Sequence, residues 1–249
     1  MLLALECPIP LMDKLQPYAD FDFILTHLVA DYDYRKFYVE SSRFSILDNS
    51  TNELRKPCSI DEILHAAELV HPDYICPPDF LGDMNRTITA LEEMEKLTTC
   101  SILPIIQGSN DKETAEFMGY LVGRGYTCVA VPYDITGSRT GDLVDLALKR
   151  SNLVDILAQH FDWIHLLGLT QPNELLVYGR MPNVRSLDTG SPITNGLHHR
   201  RYGSEVEPLP KTTMLDFDQG EMLVTQERDV LHNIAYVRQL MIKEEEWLI

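Results

Sequence analysis

Asp188 sits in the stretch from Asn183 to Gly196, which reads Asn-Val-Arg-Ser-Leu-Asp-Thr-Gly-Ser-Pro-Ile-Thr-Asn-Gly. A short apolar run, Val184 to Leu187, delivers this one carboxylate to the point where Thr-Gly-Ser-Pro turns the chain. In α/β folds, reactive groups sit at the C-terminal ends of buried strands and on the loops that follow. The competing role for such an Asp is structural, starting a turn by bonding its own backbone. Other apolar runs end in the same way. Asp48-Asn-Ser50 follows Phe44–Leu47, Pro77-Pro-Asp79 follows Tyr74–Cys76, Gln107-Gly108 follows Ile102–Ile106, and Pro132-Tyr-Asp134 follows Cys128–Val131. His27 ends Phe23–Leu28 and Gly168 follows Trp163–Leu167. Carboxylates gathered at one place raise each other's pKa and cost stability unless something is gained. Two that face each other form the usual kit for cleaving a glycosidic bond, one as nucleophile and one as acid/base. Asp and Gln also suit the edge of a guanine: a carboxylate accepts from N1–H and the 2-amino group, and a carboxamide donates to O6. The strand ends therefore point to glycosidic chemistry on a guanine-like base, with Asx turns and helix caps as the alternative use of the same residues.

The elements that must position these groups can be read from the apolar pattern. The runs named above, with Leu2–Leu5 and Val184–Leu187, make eight strands. They are continuous rather than alternating, which means both faces are covered, as in a parallel sheet. Helices lie between them. Ser59-Ile-Asp-Glu62 is a capping box before Ile63–Val70. Asn110-Asp-Lys-Glu113 starts another helix over Thr114–Gly123, with Gly125 as its stop. Asp83–Leu97, Gly141–Phe161 and Gln171–Tyr178 complete the set, Pro172 standing in a first turn. Eight such units predict a (β/α)8 TIM barrel in a single domain over 1–249, with a doubly wound open sheet as the competitor. From 197 to 249 the rhythm changes to an irregular basic segment, His198 to Lys211, followed by one helix, Glu221 to Trp247. Val230, Leu231, Ile234, Val237 and Met241 form a stripe that packs this helix on the barrel. Glu244-Glu-Glu246 reads as a solvated face.

A chain of 249 residues with 45% hydrophobic and 24% charged residues is an ordinary globular composition. A formal charge of -17 argues against broad wrapping of nucleic acid but leaves room for a local phosphate-gripping strip. The cysteines Cys7, Cys58, Cys76, Cys100 and Cys128 form no C-x-x-C pair, which predicts free thiols in a reducing compartment. Met1 to Met12 carries Glu6 and two prolines and no basic leader, unlike a signal peptide. No apolar run approaches the roughly 20 residues that span a bilayer. The expectation is a cytoplasmic protein, in the host cytoplasm if phage-encoded.

Taken together, these segments resemble the queuine/archaeosine tRNA-guanine transglycosylase family over most of the chain. Ile46-Leu-Asp-Asn-Ser50 is similar to the family's I-L-x-D-S-G, and Leu103-Pro-Ile-Ile-Gln-Gly108 to its V-V-Q-G. Thr127-Cys-Val-Ala-Val131 is similar to G-G-L-A-V, and Ile164-His-Leu-Leu-Gly-Leu-Thr-Gln-Pro172 to Y-L-M-G-V-G-x-P. Ser186-Leu-Asp-Thr-Gly-Ser-Pro-Ile-Thr194 resembles F-D-C-V-x-P-T-R, with Leu231-His-Asn-Ile234 matching I-H-N-L near the end. The resemblance implies that Asp188 is the nucleophile and Asp48 the acid/base. It implies that Asp79, Gln107, Gly168 and the backbone amide of Cys128 hold the base.

The departures narrow the substrate. The tRNA enzymes bind a structural zinc through C-x-C-x-x-C and a distant His, and here no cysteine follows Cys128, so a thiolate site cannot be built. His232 is then a packed or capping residue. The two glycines after the family's Asp are replaced by Asn49 and Ser50, and the Arg after Pro192-Ile-Thr194 by Asn195. A shortened, zinc-free chain is what the phage and bacterial DNA-modifying relatives look like. The implied activity is pentosyl transfer, exchanging guanine in duplex DNA for a free 7-deazaguanine such as the preQ0 base, with no metal or cofactor. No P-loop or G-x-G-x-x-G is present. Arg180, Arg185, His198, His199, Arg200, Arg201 and Lys211 flank Asp188 in sequence and are expected to meet phosphates. The rival readings are the same exchange on tRNA, a non-catalytic nucleobase-binding barrel, and a nucleoside hydrolase.

Overall fold

The structure is a computed structural model that describes residues 1–134, 143–169, 171–210 and 213–241. It is an α/β fold with parallel sheets. Among the described residues the strands are β1 (Leu2–Leu5), β2 (Asp22–Leu25), β3 (Ser45–Asp48), β4 (Tyr74–Ile75), β5 (Ser101–Ile102), β6 (Cys128–Pro132), β7 (Trp163–Leu167) and β8 (Val184–Thr189). The helices are α1 (Met12–Leu15), α2 (Tyr32–Glu40), α3 (Thr51–Leu54), α4 (Ile60–Val70), α5 (Met84–Leu97), α6 (Asp111–Gly123), α7 (Leu143–Leu157), α8 (Leu175–Tyr178), α9 (Ser191–Leu197) and α10 (Val224–Met241). The strands form two four-stranded sheets in the orders β1-β8-β7-β6 and β2-β3-β4-β5. Every pairing is parallel, so the C-terminal ends of each sheet's strands lie on one side.

The central strands are buried on both faces, as the continuous apolar runs predict: Ile46, Leu47, Val129, Ala130, Val131, Ile164 and Leu166 are fully enclosed, while Ser101 of β5 and Arg185 of β8 are exposed. Between the two sheets the side chains are stratified. Near the N-terminal ends, Phe44 and Tyr74 meet Trp163 edge-on and each other at a tilt, with ring centroids 4.9 to 5.9 Å apart. Above them, Phe23 of β2 stacks on His165 of β7. Acids occupy the C-terminal level, described below. The parallel edges also meet beyond the named strands. Ala130 N–H donates to the Pro104 carbonyl and Ile106 N–H to the Ala130 carbonyl, and Asp20 N–H donates to the Leu3 carbonyl.

The helix starts follow the sequence signals. Ser59 and Glu62 make the reciprocal capping box, and the resulting hydrogen bonds from Ser59 hold the Glu62 carboxyl below its ordinary range. Asp83 and Asn110 cap α5 and α6 through the N–H groups of Arg86 and Glu113. Gly125 takes φ +81° beyond the end of α6. Local readings change at three points, the first being Ile102–Ile106, which is a strand only at Ser101–Ile102, with Ile105 in an isolated parallel bridge to Ala130. Phe23–Leu28 is a strand only to Leu25, and Thr26–Leu28 is a 3-10 turn. The turn after Asp188 becomes α9, with Pro192 in its first turn where the missing N–H costs nothing.

The C-terminal helix α10 buries Val230, Ile234, Val237 and Met241 and grips α9. At Gly196 an added Cβ would lie 2.5 Å from Val230, so only glycine allows this approach. Asn233 ties the pair together, donating to the Pro192 and Arg200 carbonyls and accepting from Tyr202 N–H. This packing fixes the helix that leaves Asp188. The expected extension of α10 to Trp247, the Glu244–Glu246 run, Lys211, and the start of α7 at Gly141 lie outside the described residues.

Candidate functional site

One cavity of about 150 Å³ lies where the C-terminal ends of strands from both sheets meet. A cavity of roughly this size is enough for a planar ring such as benzene. Asp48, the last residue of β3, and Asp188, near the end of β8, both line it. Asp79 and Gly168, from the loops after β4 and β7, line it too. The remaining wall is mixed, with Phe23, Leu25, Leu167 and Tyr133 among its apolar residues and Asn49, Thr51 and Asn195 among its polar ones.

Three further acids, Glu6, Glu53 and Asp134, line the same space, and no Lys, Arg or His is among the described lining residues. Such crowding changes protonation. Burial pushes the Asp48 carboxyl well above its ordinary range, the charges of Glu53, Asp188 and Asp79 add to this, and Ser50 N–H, donating to Oδ2 at 2.7 Å, opposes it. Glu6, just past β1, is raised well above its ordinary range by burial, by Glu53 and by Asp188, with which it shares a hydrogen bond. Burial also raises Glu53, whose Oε2 is enclosed without a hydrogen-bond partner among the described residues while Oε1 accepts from Asn52. The cavity therefore holds carboxyls that keep protons to higher pH than a surface acid does.

Asp79 is braced from both sides. Asn49 Nδ2 donates to its Oδ1 at 2.9 Å, and Gln107 Nε2 donates to its Oδ2. Burial raises the Asp79 carboxyl, and the donors Asn49, Thr51 and Gln107 oppose that rise. The Gln107 carboxamide is oriented in turn by Gly82 N–H, which donates to its Oε1 at 3.1 Å. Gln107 does not line the cavity; it supports Asp79, the reverse of the expectation that both would meet the base.

Asp188 is held by His165 and Gly168 as well as by Glu6. His165 Nε2 lies 3.0 Å from Oδ1, and Gly168 N–H lies 3.3 Å from both oxygens. Gly168 can present its N–H because it takes φ +64°, which glycine adopts without strain. Its carbonyl is held by Arg150, a fully buried side chain of α7 that donates to Gly168, Val131 and Leu167 carbonyls and pairs with Glu174 at 3.6 Å. The ends of β6 and β7 are thus pinned beneath the cavity.

Several expected site residues lie elsewhere. Cys128 is the first residue of β6, paired with Trp163 at the start of β7, and its backbone is at the opposite end of the strand from the cavity. Four residues at roughly 3.3 Å each separate it from Pro132 at the mouth. The motif match placed the right strand but the wrong end of it. Arg180 and Arg185 fall similarly: Arg180 precedes β8, and Arg185 is its second residue, exposed, with Asp188 three residues further on. In β8, Ser186 and Asp188 face His165, so Arg185, of opposite parity, faces outward. In the segment after α9, His199 and Arg201 both bind the Asp229 carboxylate, and Arg200 donates to the Glu207 carbonyl. His199 and Arg201 are committed to an internal acid. His27 lies on the 3-10 turn, edge-on to Phe217, and does not line the cavity. His232 Nε2 lies 3.0 Å from the Tyr202 carbonyl; a carbonyl only accepts, so Nε2 donates.

Sequence reasoning passed over Glu6, Glu53, His165 and Arg55. Arg55 follows α3 with φ +63°, and its guanidinium reaches the sulfur of Met214, a cavity-lining residue, 3.6 Å away. Its charge also acts on Glu53 and Tyr133, so a cation stands at the rim. The available signal was parity: His165 in β7 and Ser186 and Asp188 in β8 interrupt apolar runs at positions facing the same way. No protein-family model matches the chain, and a search of curated proteins gives no significant match.

Proposed function

We propose that this protein exchanges guanine in DNA for a 7-deazaguanine base by breaking and re-forming the N-glycosidic bond. The observation that carries this reading is that Asp48 and Asp188, from strands of different sheets, share one ring-sized cavity. We take the fold to be a closed (β/α)8 barrel. The hydrogen bonds joining the β5 and β6 segments, those beside β1 and β2, and the aromatic layer between the sheets support closure.

Guanine turns out of the duplex into the cavity, at a cost of a few kcal/mol. Asp79, steadied by Asn49 and Gln107, accepts from the donor edge of the base. An oxygen of Asp188 forms a bond to C1′ as the C1′–N9 bond breaks, and the electron pair leaves on the base. Asp48, a carboxyl that holds its proton to raised pH, donates that proton to the departing guanine. In the second half, Asp48 takes the N9 proton of the incoming 7-deazaguanine, whose nitrogen displaces Asp188 and restores the carboxylate. The steps balance without metal or redox partner.

A second reading has its own support. With Arg180 and Arg185 away from the cavity end of β8, and His199 and Arg201 bound to Asp229, phosphate contacts are sparse. This favours the same chemistry on a free nucleoside. The test is to offer labelled guanine with duplex DNA, tRNA and guanosine, and to look for a covalent adduct that survives denaturation. Label entering duplex DNA, with adduct and exchange both lost in Asp188→Ala, is the expected result. Exchange only into guanosine would establish the second reading, and exchange that persists in Asp188→Ala would overturn both.

A further inference from the structure

We propose that His165 is a positioning residue that orients Asp188 for attack through a buried chain running Trp163–Ser186–His165–Asp188. For the kinetics this rests on Asp188 being the nucleophile proposed above; the hydrogen-bond assignment does not. The geometry starts with the one member of the chain that has a single role. Trp163 Nε1 can only donate, and it lies 2.7 Å from Ser186 Oγ. The hydroxyl hydrogen of Ser186 remains to be given, and we assign His165 Nδ1, 2.8 Å away, as its acceptor. An imidazole whose Nδ1 accepts carries its hydrogen on Nε2, and Nε2 lies 3.0 Å from Asp188 Oδ1. The network assigns the tautomer.

The ring has no freedom to do otherwise. His165 is 0% exposed, stacked on Phe23 with centroids 5.5 Å apart and met edge-on by Phe21 at 6.1 Å. With Nε2 on Oδ1 at 3.0 Å, we assign the attack on C1′ to Oδ2, which Gly168 N–H approaches at 3.3 Å. In the ester that forms, Oδ1 is the carbonyl oxygen, and the same N–H remains on it as the second base displaces the carboxylate. A donor held at one oxygen through both halves acts as orientation, which needs no reorganisation during reaction.

These three residue types also make up the triad of serine hydrolases, but the order of access is reversed. Ser186 and His165 do not line the cavity, and Asp188 does. Ser186 is two residues before Asp188 on β8, roughly 7 Å deeper. Its oxygen already takes the Trp163 hydrogen. The chain delivers a carboxylate to the substrate, and the serine anchors it.

The test has two arms. The first is 15N NMR of histidine-labelled protein, which reads the tautomer without any substrate. The expected spectrum has His165 protonated on Nε2 with a slowly exchanging hydrogen, whose shift moves in Asp188→Asn. Protonation on Nδ1, or no change in Asp188→Asn, would overturn the assignment. The second arm compares His165→Gln, His165→Leu and Ser186→Ala in base exchange. His165→Leu is expected to lower kcat by roughly 10- to 100-fold, what one hydrogen bond to a charged group supplies, with KM for the free base unchanged. His165→Gln keeps an amide donor and is expected to recover most of that loss, with Ser186→Ala falling between. If Gln and Leu are equally impaired while both melt like the wild type, or if KM rises as kcat falls, positioning is refuted. A wild type that exchanges no base would sink the proposed function, and the spectrum would still decide the hydrogen bond.

Discussion

Replacing Asp48 by Asn removes one acid from the crowded cavity while keeping its shape, and the effect on stability has a definite sign. An Asn oxygen can still accept from Ser50 N–H, so the turn after β3 is preserved. An unfolded Asp loses its proton near pH 3.9. In the fold, burial and then Glu53 hold the Asp48 carboxyl protonated to a much higher pH. Between those two values unfolding releases a proton, so each unit of pH lowers the wild-type stability by about 1.4 kcal/mol through this one group. The carboxamide of the Asp48→Asn variant releases none. The variant is therefore expected to match or fall slightly below the wild type near pH 4, and to become progressively more stable relative to it as pH rises, levelling off above the folded-state value. Urea unfolding at pH 4, 5, 6, 7 and 8, with the slope m held common, measures this difference. It is accompanied by loss of base exchange, the trade expected when a functional group is held against its preference. A difference independent of pH, or one that shrinks as pH rises, would refute the account of the cavity as a set of mutually raised acids.

The other expectations are local. Gln107→Leu removes one of the two side chains bracing Asp79, and it should raise KM for the free base several-fold with a smaller change in kcat, read from initial rates at varied base. Arg55→Ala should weaken duplex DNA binding and flatten its dependence on salt by about one unit in a log–log plot, read by fluorescence anisotropy, while guanosine turnover is unchanged. Gly196→Ala should cost roughly 1–3 kcal/mol in unfolding, because its Cβ would meet Val230 at 2.5 Å and α10 would have to shift. Arg150→Met should cost roughly 1–3 kcal/mol or more in unfolding, since the Gly168, Val131 and Leu167 carbonyls would lose their buried donor.

What could be read in advance divides along physical lines. The eight strands were legible because a strand covered on both faces must be apolar throughout, and Val184, Leu187, Val129 and Ile164 all obey this. Asp48, Asp79 and Asp188 were legible because the end of such a run is where a polar side chain first becomes tolerable. Glu53 was missed because it lies on α3, a four-residue helix too short to show any period. Glu6 was missed because Cys7 and Pro8 follow it instead of the Gly or Asn of a recognisable turn. Cys128 lies at the start of β6 because the motif match identifies a strand and not its end, and Arg185 lies away from the cavity for a reason of strand geometry. Sequence neighbours of a site residue are spatial neighbours only on its own side of the strand, and β8 carries Arg185 about 10 Å away from Asp188, at three residues of roughly 3.3 Å each.

The placement of the acids explains why the cavity tolerates them. Glu6, Asp48, Asp79 and Asp188 follow or end four different strands, and three of them are held by neighbours that can only donate or are made to: Ser50 N–H on Asp48, Asn49 and Gln107 on Asp79, His165 and Gly168 N–H on Asp188. Donors of this kind are supplied by backbone turns and by neutral side chains, so none brings a compensating positive charge into the space. A lysine or arginine in the wall would satisfy the carboxylates more fully, and it would also occupy the ground where a base with its own N–H donors has to sit. With no cation among the described lining residues, Glu53 Oε2 has no hydrogen-bond partner among those residues, and under the proposed function a ligand rich in hydrogen-bond donors would supply one.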